Sequence, residues 1–293
     1  MVEKRPATSE QKKRHLHELE EPHGGSAGTG FFKLRREPSG VVRALAALAC
    51  LGIILGTWYV LTAGPVESRI VEPGKLPSLT DTIKSFKSLW FERALTRNAM
   101  VSLWRVLQGF GMALLFGIPL GIMAGCFPIF RAFLAPITVF GRNVPVAALI
   151  PLTLVWFGLG ESQKTGFIFI ATVSFIIFDA TSSVMLVDQK YLDTAYTLGA
   201  SRWQIIRKVL VPLAMPRIWT SIRLLFGLGF GYIILAEGIN QDTGIGTLIY
   251  VSQRRGLYEH VYLSTLVIAL LAFLVDRLLY AIGRYLFPYL EKQ

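Results

Sequence analysis

Six apolar stretches, each about twenty residues or longer, constrain this chain more than any other feature. They lie near residues 41–63, 98–125, 132–157, 166–187, 213–236 and 261–283. At 1.5 Å per residue, each is long enough to cross about 30 Å of hydrocarbon as a helix. No alternating strand pattern competes with them, and lipid admits only backbones that pair internally, so a helical bundle follows. Composition agrees: 17% of residues are charged, against about 25% in soluble domains, and the mean hydropathy is +0.50. The expected fold is an all-α membrane protein, a six-helix transmembrane bundle.

Residues 1–40 have a different character. Glu10–Glu21 (EQKKRHLHELEE) is almost wholly polar and GGSAGTG at 24–30 has the composition of a flexible linker. A polar, flexible tail is expected, and it places the first apolar run too far from Met1 for a cleaved signal peptide. His15, His17 and His23 sit in this tail with no second cluster to complete a metal site. Cys50 and Cys126 lie in or beside apolar runs, which suits neither a disulfide framework nor a metal pair.

The net charge of +11 is explained by its distribution. Counting the regions outside the spans, eighteen Lys and Arg fall on the side holding both termini, with Arg131 and Arg142 among them, and nine on the other. That asymmetry predicts both termini in the cytoplasm. The basic balance is then an insertion signal, and no nucleic-acid partner is called for.

Two segments depart from plain spans. The third apolar stretch is interrupted by Pro136, Arg142, Asn143, Pro145 and Pro151. Backbone freed at membrane depth must be buried in protein or line water, so this segment is a candidate wall of a pathway. The cytoplasmic loop YLDTAYTLGASRWQIIRKVLVPLAMPRI at 191–218 is too polar and too long for a turn. It predicts a short helix over Leu192–Leu198 with Asp193 in its first turn, ended by Gly199 in the left-handed conformation. Ser201 then suits the N-cap of a second helix, which Pro212 and Pro216 are expected to stop or redirect. Ala195, Gly199 and Ala200 keep the bend free of bulk, so another surface can approach it.

This loop resembles the coupling motif of ABC importer permeases, which runs Glu-Ala-Ala, three residues, Gly, nine residues, Ile-x-Leu-Pro. Here it reads Asp193-Thr194-Ala195, three residues, Gly199, nine residues, Val209-Leu210-Val211-Pro212. The spacing matches throughout, and Thr194 is the least conservative departure. More of the chain is similar to the nitrate, sulfonate, taurine and bicarbonate branch of that family. The matching segments are SLWRVLQGF at 102–110, GIPLGIMAG at 117–125, NVPVAALIPLTLVWFGLGES at 143–162, Ser221-Ile222-Arg223-Leu224, Ala236-Glu237 and Gly244-Ile245-Gly246. The resemblance covers about 75–285, leaving outside it the tail 1–40 and the first span 41–63.

What the resemblance implies is a type I importer permease in a bacterial cytoplasmic membrane. Two permease chains, here expected to be identical, would form the path for a small oxyanion. Two ATPase subunits would dock on the loop at 191–212 through Asp193, Thr194, Ala195, Gly199, Ala200, Ser201, Val209 and Pro212, and would bind the ATP and Mg that this chain does not. An external solute-binding protein would deliver the substrate. The nearest look-alike to a phosphate loop, Gly158 to Thr165, has Gln163 where a glycine belongs and falls on the outer side.

Ionisable residues inside spans are functional candidates by default. Ser102, Arg105 and Gln108 recur at three-residue spacing and are expected to form a polar strip, facing either a path or a neighbouring helix. With Asn143, Arg223 and Glu237 they make up the candidate translocation path. Asp179 and Arg223 lie at similar depths and are expected to pair, while Asp276 and Arg277 are expected to snorkel. Gly117, Gly121 and Gly125, and Gly227 with Gly231, suit close helix contact. Nothing in the spans resembles a catalytic set, so no enzyme is expected. An importer for a neutral heterocycle such as a pyrimidine precursor, a stand-alone channel or secondary carrier, and a membrane-embedded enzyme are the alternative readings.

Overall fold

A computed structural model describes residues 38–239 and 242–290, and no strand occurs among them. The tail readings for 1–37 lie outside the described residues. The chain divides into two units, 1–56 and 57–293. The first holds most of helix α1 (Gly40–Thr62), exposed at every position through Gly56. An apolar helix with no buried face there is one whose solvent is lipid. The final turn of α1 belongs to the second unit, where the Trp58 indole donates to the Pro77 carbonyl at 2.9 Å.

In the second unit the chain runs through α2 (Leu79–Phe91), α3 (Leu95–Cys126), α4 (Pro128–Asn143), α5 (Leu149–Phe157) and α6 (Glu161–Met185). Helices α3 and α6 form the central pair. Gly109, Gly117, Gly121 and Gly125 of α3 face Ile168, Ile176, Ala180 and Val184 of α6, and a Cβ at any of them would come within 2.7 Å of its opposite number. Every pair is offset by the same 59 positions, so the two helices run parallel. The glycine row therefore serves packing within one chain, whereas Gly227 and Gly231 have nothing within 4 Å of an added Cβ.

Parallel α3 and α6 require the chain to cross back between them, and only α4 and α5 can do so. That crossing is broken: the two pieces meet at 96°, joined by a 3-10 turn at Val146–Ala148. Pro145 and Pro151 remove two amide donors there, which is where the sequence anticipated irregular backbone. Five helices are long and apolar enough to span, and the bent pair makes the sixth crossing.

The chain continues through α7 (Gln189–Thr197), α8 (Arg202–Ile205), α9 (Val211–Glu237), α10 (Ile245–Arg254) and α11 (Tyr258–Leu286). Phe110 meets Phe226 edge-on and Ser102 meets Glu237, so α9 runs antiparallel to α3. Trp219 donates to the Leu279 carbonyl at 2.9 Å and Arg223 meets Asp276, so α11 runs antiparallel to α9. Of the two outcomes expected of Pro212 and Pro216, a stop to the second loop helix does not occur. A π turn at Ile206–Leu210 carries α8 into α9, and Pro212 falls in the first turn of α9, where its missing donor costs little. Arg202–Glu237 is in effect one 36-residue rod.

Candidate functional site

The hairpin of the 191–218 loop is built from α7, a Gly199 turn and α8. Asp188 caps α7, its side chain accepting from Lys190 N at 3.0 Å, and the Lys190 ammonium hydrogen-bonded to it holds its carboxyl below the ordinary range. The helix thus starts earlier than the sequence suggested. Asp193 lies mid-helix, where it accepts from Gln189 Nε2 at 3.1 Å, and not in the first turn. The Thr194 hydroxyl donates to the Lys190 carbonyl at 2.7 Å, so the departure from alanine is absorbed by the helix itself. Gly199 ends α7 at φ 77°, and Ala200 N closes the turn onto the Ala195 carbonyl at 3.0 Å. Ser201 and Gln204 form a reciprocal capping box on α8.

Ala195 is buried against the apolar cluster that includes Ile205 and Leu210, which seats the hairpin on the membrane domain. Val209 is half-buried in the π turn, and the Pro212 carbonyl accepts from the Tyr289 hydroxyl at 3.1 Å. The tip is the reverse. Leu198 is 80% exposed and Trp203 68% exposed, and an added Cβ at Gly199 would meet nothing. A rigid hairpin whose apolar residues point into water is suited to insertion into a cleft of another subunit. Leu198 and Trp203 were missed because motif spacing reads the turn and not the side chains beside it.

At the opposite end of the bundle, Arg105 is buried in a charge cluster. Its Nη1 donates to Glu237 Oε1 at 2.7 Å and to the Thr243 carbonyl at 2.7 Å, and its Nε donates to Glu161 Oε2 at 2.6 Å. Nη2 donates to Glu161 Oε1 and to the Thr243 hydroxyl. Glu237, fully buried, also accepts from Ser102 Oγ at 2.8 Å and Gly246 N at 2.8 Å. Asn98 takes Gly244 N at 2.7 Å. The cluster ties together α3, α6 and the α9–α10 turn, so Ser102, Arg105 and Glu237 face neighbouring helices and no open path. Gln108 does not join them and is exposed. Three-residue steps drift by about 60° each on a 3.6-residue helix, so the third member of the strip has turned away. Glu161 and Thr243 were missed because each lies just outside an apolar run.

The expected Asp179–Arg223 pair does not form. Arg223 makes a two-pronged contact with Asp276, Nε to Oδ1 at 3.1 Å and Nη2 to Oδ2 at 3.0 Å, and lies 4.8 Å from the Tyr280 ring centre. Asp276 therefore pairs and does not snorkel. Ten residues separate it from the end of α11, about 15 Å, and Arg223 lies at a similar distance from the start of α9. Asp179 instead bonds Ser221 and feels the charge of Arg142. Asn143 is exposed at the end of α4, its amide donating to the Val139 carbonyl at 2.7 Å. Arg142, which the charge count placed on the inner side, lies at the α4–α5 break, its guanidinium 3.6 Å from the centre of the Phe178 ring.

Residues 117–290 match the family model described as "Binding-protein-dependent transport system inner membrane component". The chain is 30% identical to the taurine transport system permease protein of Escherichia coli K12 over 248 residues, 83% of this chain and 89% of that protein. It is 29% identical to the bicarbonate transport system permease protein of Synechococcus elongatus over 261 residues, 86% of this chain and 92% of that one. Among solved structures, an inward-facing form of the MetNI methionine ABC transporter superposes with a TM-score of 0.59 at 19% identity, covering 68% of this chain and 97% of that one. At that identity the likeness speaks for the fold alone.

Proposed function

The chain belongs to the family of binding-protein-dependent transport system inner membrane components, and from that premise we propose that it forms, with a second identical copy, the path of an ATP-driven importer for a small oxyanion. As a member of that family it is a multi-pass inner-membrane transport subunit and not an enzyme, and it works with ATPase and solute-binding partners. Two ATPase subunits binding ATP and Mg would each take one hairpin tip. Both termini would lie in the cytoplasm. The oxyanion is a sulfonate such as taurine, or bicarbonate or nitrate, a class supported by the named taurine and bicarbonate relatives.

One observation carries the reading: the exposed Leu198–Trp203 tip is continuous with the rod Arg202–Glu237, which reaches the buried charge cluster at the other end. Thirty-six residues of helix span about 54 Å. A push at the tip is therefore carried across the membrane as rigid-body motion and is not lost in a loop.

A second reading, a path for a neutral heterocycle, draws support from Arg105 and Arg223, both of which are engaged by carboxylates. Uptake of labelled taurine, an alkyl sulfonate, bicarbonate, nitrate and a neutral pyrimidine, in cells with and without this chain, separates the two. ATP-dependent uptake of one anion supports the first reading and uptake of the pyrimidine alone the second. Uptake that survives Gly199→Val, proceeds without ATP and follows an ion gradient overturns both in favour of a secondary carrier.

A further inference from the structure

Of the basic side chains in the spanning helices, Arg105 is enclosed by two glutamates and Arg223 is clamped by Asp276. Lys164 is fully buried 3.8 Å from Glu161, with no hydrogen-bond partner for its Nζ among the described residues. Arg277 lies toward the inner end of α11, over the Phe273 ring. Arg142 is different. It is exposed, and among the described residues it makes no ion pair at 4.0 Å or less.

Packing fixes its depth. The neighbouring Gly141 fits against Ser174, whose Cβ would lie 2.5 Å from an added Cβ, and Ser174 is the fourteenth of the 25 residues of α6. The α4–α5 break therefore sits opposite the middle of a spanning helix. An exposed guanidinium at that depth is costly against lipid and is found where water or a polar solute reaches it. Its flat face is held on Phe178, which is itself 38% exposed, so the N–H edge stays free. Asn143 is exposed beside it, and on α6 and α9 the bonded pair Asp179 and Ser221 feels its charge. The face of α9 beyond Ser221 is open: Leu224 is 71% exposed, and Gly227 and Gly231 have nothing within 4 Å of an added Cβ.

We propose that Arg142, presented at the broken crossing, is the group that coordinates the oxyanion midway through the membrane. The guanidinium offers a planar fork of donors matched to a sulfonate or carboxylate. This role rests on the oxyanion reading above.

The test uses the assembled transporter in proteoliposomes with its ATPase and loaded binding protein. Arg142→Gln is expected to lower anion uptake by about tenfold or more, the size of one charge-assisted hydrogen bond, while stimulated ATP hydrolysis stays within about twofold. Arg142→Lys should recover part of the uptake. A structural role would instead lower ATP hydrolysis and assembly along with uptake. A second measurement leaves Arg142 in place: Asn143→Cys, with Cys50 and Cys126 replaced by Ala, is exposed to a membrane-impermeant anionic thiol reagent. Labelling slowed by the transported anion is the expected result. No labelling means that the break faces lipid or the second copy, and overturns the proposal. So does wild-type uptake by Arg142→Gln, or loss of pairing between the two permease copies in that variant. If the wild-type transporter imports no anion but carries a neutral solute, the oxyanion reading itself falls, and the Arg142 role falls with it.

Discussion

Arg105 and Glu237, 132 residues apart in sequence, meet at 2.7 Å with both side chains out of contact with solvent. The contact closes one end of the bundle: α3 supplies the cation, the last residue of α9 the anion, Thr243 in the turn before α10 accepts from Arg105, and Gly246 N in the first turn of α10 donates to Glu237. It also removes both residues from the list of groups a passing solute could touch. Their expected place on the path came from residue type and depth, and neither reports which way a helix is turned.

Breaking the pair should therefore act on folding before it acts on transport. Breaking a buried ion pair costs up to about 3–5 kcal/mol, an upper bound here because Glu161 stays on Arg105. Glu237→Gln should lower the thermal stability of the detergent-solubilised protein sharply. Glu161→Gln, at a side chain 65% exposed, should lower it far less. Thermal melts of the two variants check the order. A folded Glu237→Gln protein of wild-type stability, defective only in uptake, would return Glu237 to the path.

The α3–α6 seam gives a matched comparison within one helix. Gly121→Ala puts a Cβ 2.5 Å from the Ala180 Cβ and 2.7 Å from the Ile177 carbonyl, so the helices must separate. Gly111→Ala meets nothing within 4 Å. Overpacking of this kind costs about 1–3 kcal/mol, whereas alanine at an open helical glycine gains about 0.5–1 kcal/mol. The first should therefore lower the melting temperature and the second raise it.

The legibility of the chain follows from which interactions are local. Apolar length is a property of consecutive residues, so six crossings could be counted from the sequence, and the prolines near 145 and 151 marked the broken one. The Gly199 turn and the Ser201 cap are closed within a few residues, and both were readable from the sequence, although the reciprocal bond from Gln204 was not. Pairing across helices was not. Asp179 and Asp276 lie at comparable depths relative to Arg223, and only the rotation of α6, α9 and α11 selects Asp276. The rotation of α3 likewise hides Arg105 and exposes Gln108.

That selection makes a direct prediction. Asp276→Asn removes the partner of Arg223 and should destabilise the α9–α11 contact, whereas Asp179→Asn leaves that pair intact. Arg223 is about a quarter exposed and Asp276 more so, which keeps the loss below that of the Arg105 cluster, on the order of 1 kcal/mol. Limited proteolysis at the α11 end, compared between the two variants, reads the difference. Equal protection would remove Asp276 as the working partner.

At the hairpin tip, coupling should follow exposed apolar contact. Leu198→Ser and Trp203→Ala change side chains that touch little of this chain, so insertion and stability should remain at wild-type levels. Aromatic anchors at interfaces commonly cost 2 kcal/mol or more when truncated, about thirtyfold in affinity. Co-purification of the ATPase subunits should fall accordingly, with Trp203→Ala the more severe. Undiminished co-purification by both variants would place the docking contact elsewhere.

Gly199 tests the turn itself, separately from the side chains around it. Its φ of 77° lies in the left-handed region, and the space beyond its Cα is open, so backbone strain is the whole cost of a substitution. Asn visits that region readily and β-branched residues do not. Gly199→Asn should retain most uptake and ATPase binding. Gly199→Val should lose both, because about 1–3 kcal/mol of strain is relieved by opening the turn and swinging α8 away from α7. Uptake and ATPase co-purification, measured together, check both expectations. If Val is tolerated as well as Asn, the turn geometry does not set the coupling, and the rod that begins at Arg202 must be driven through some other contact.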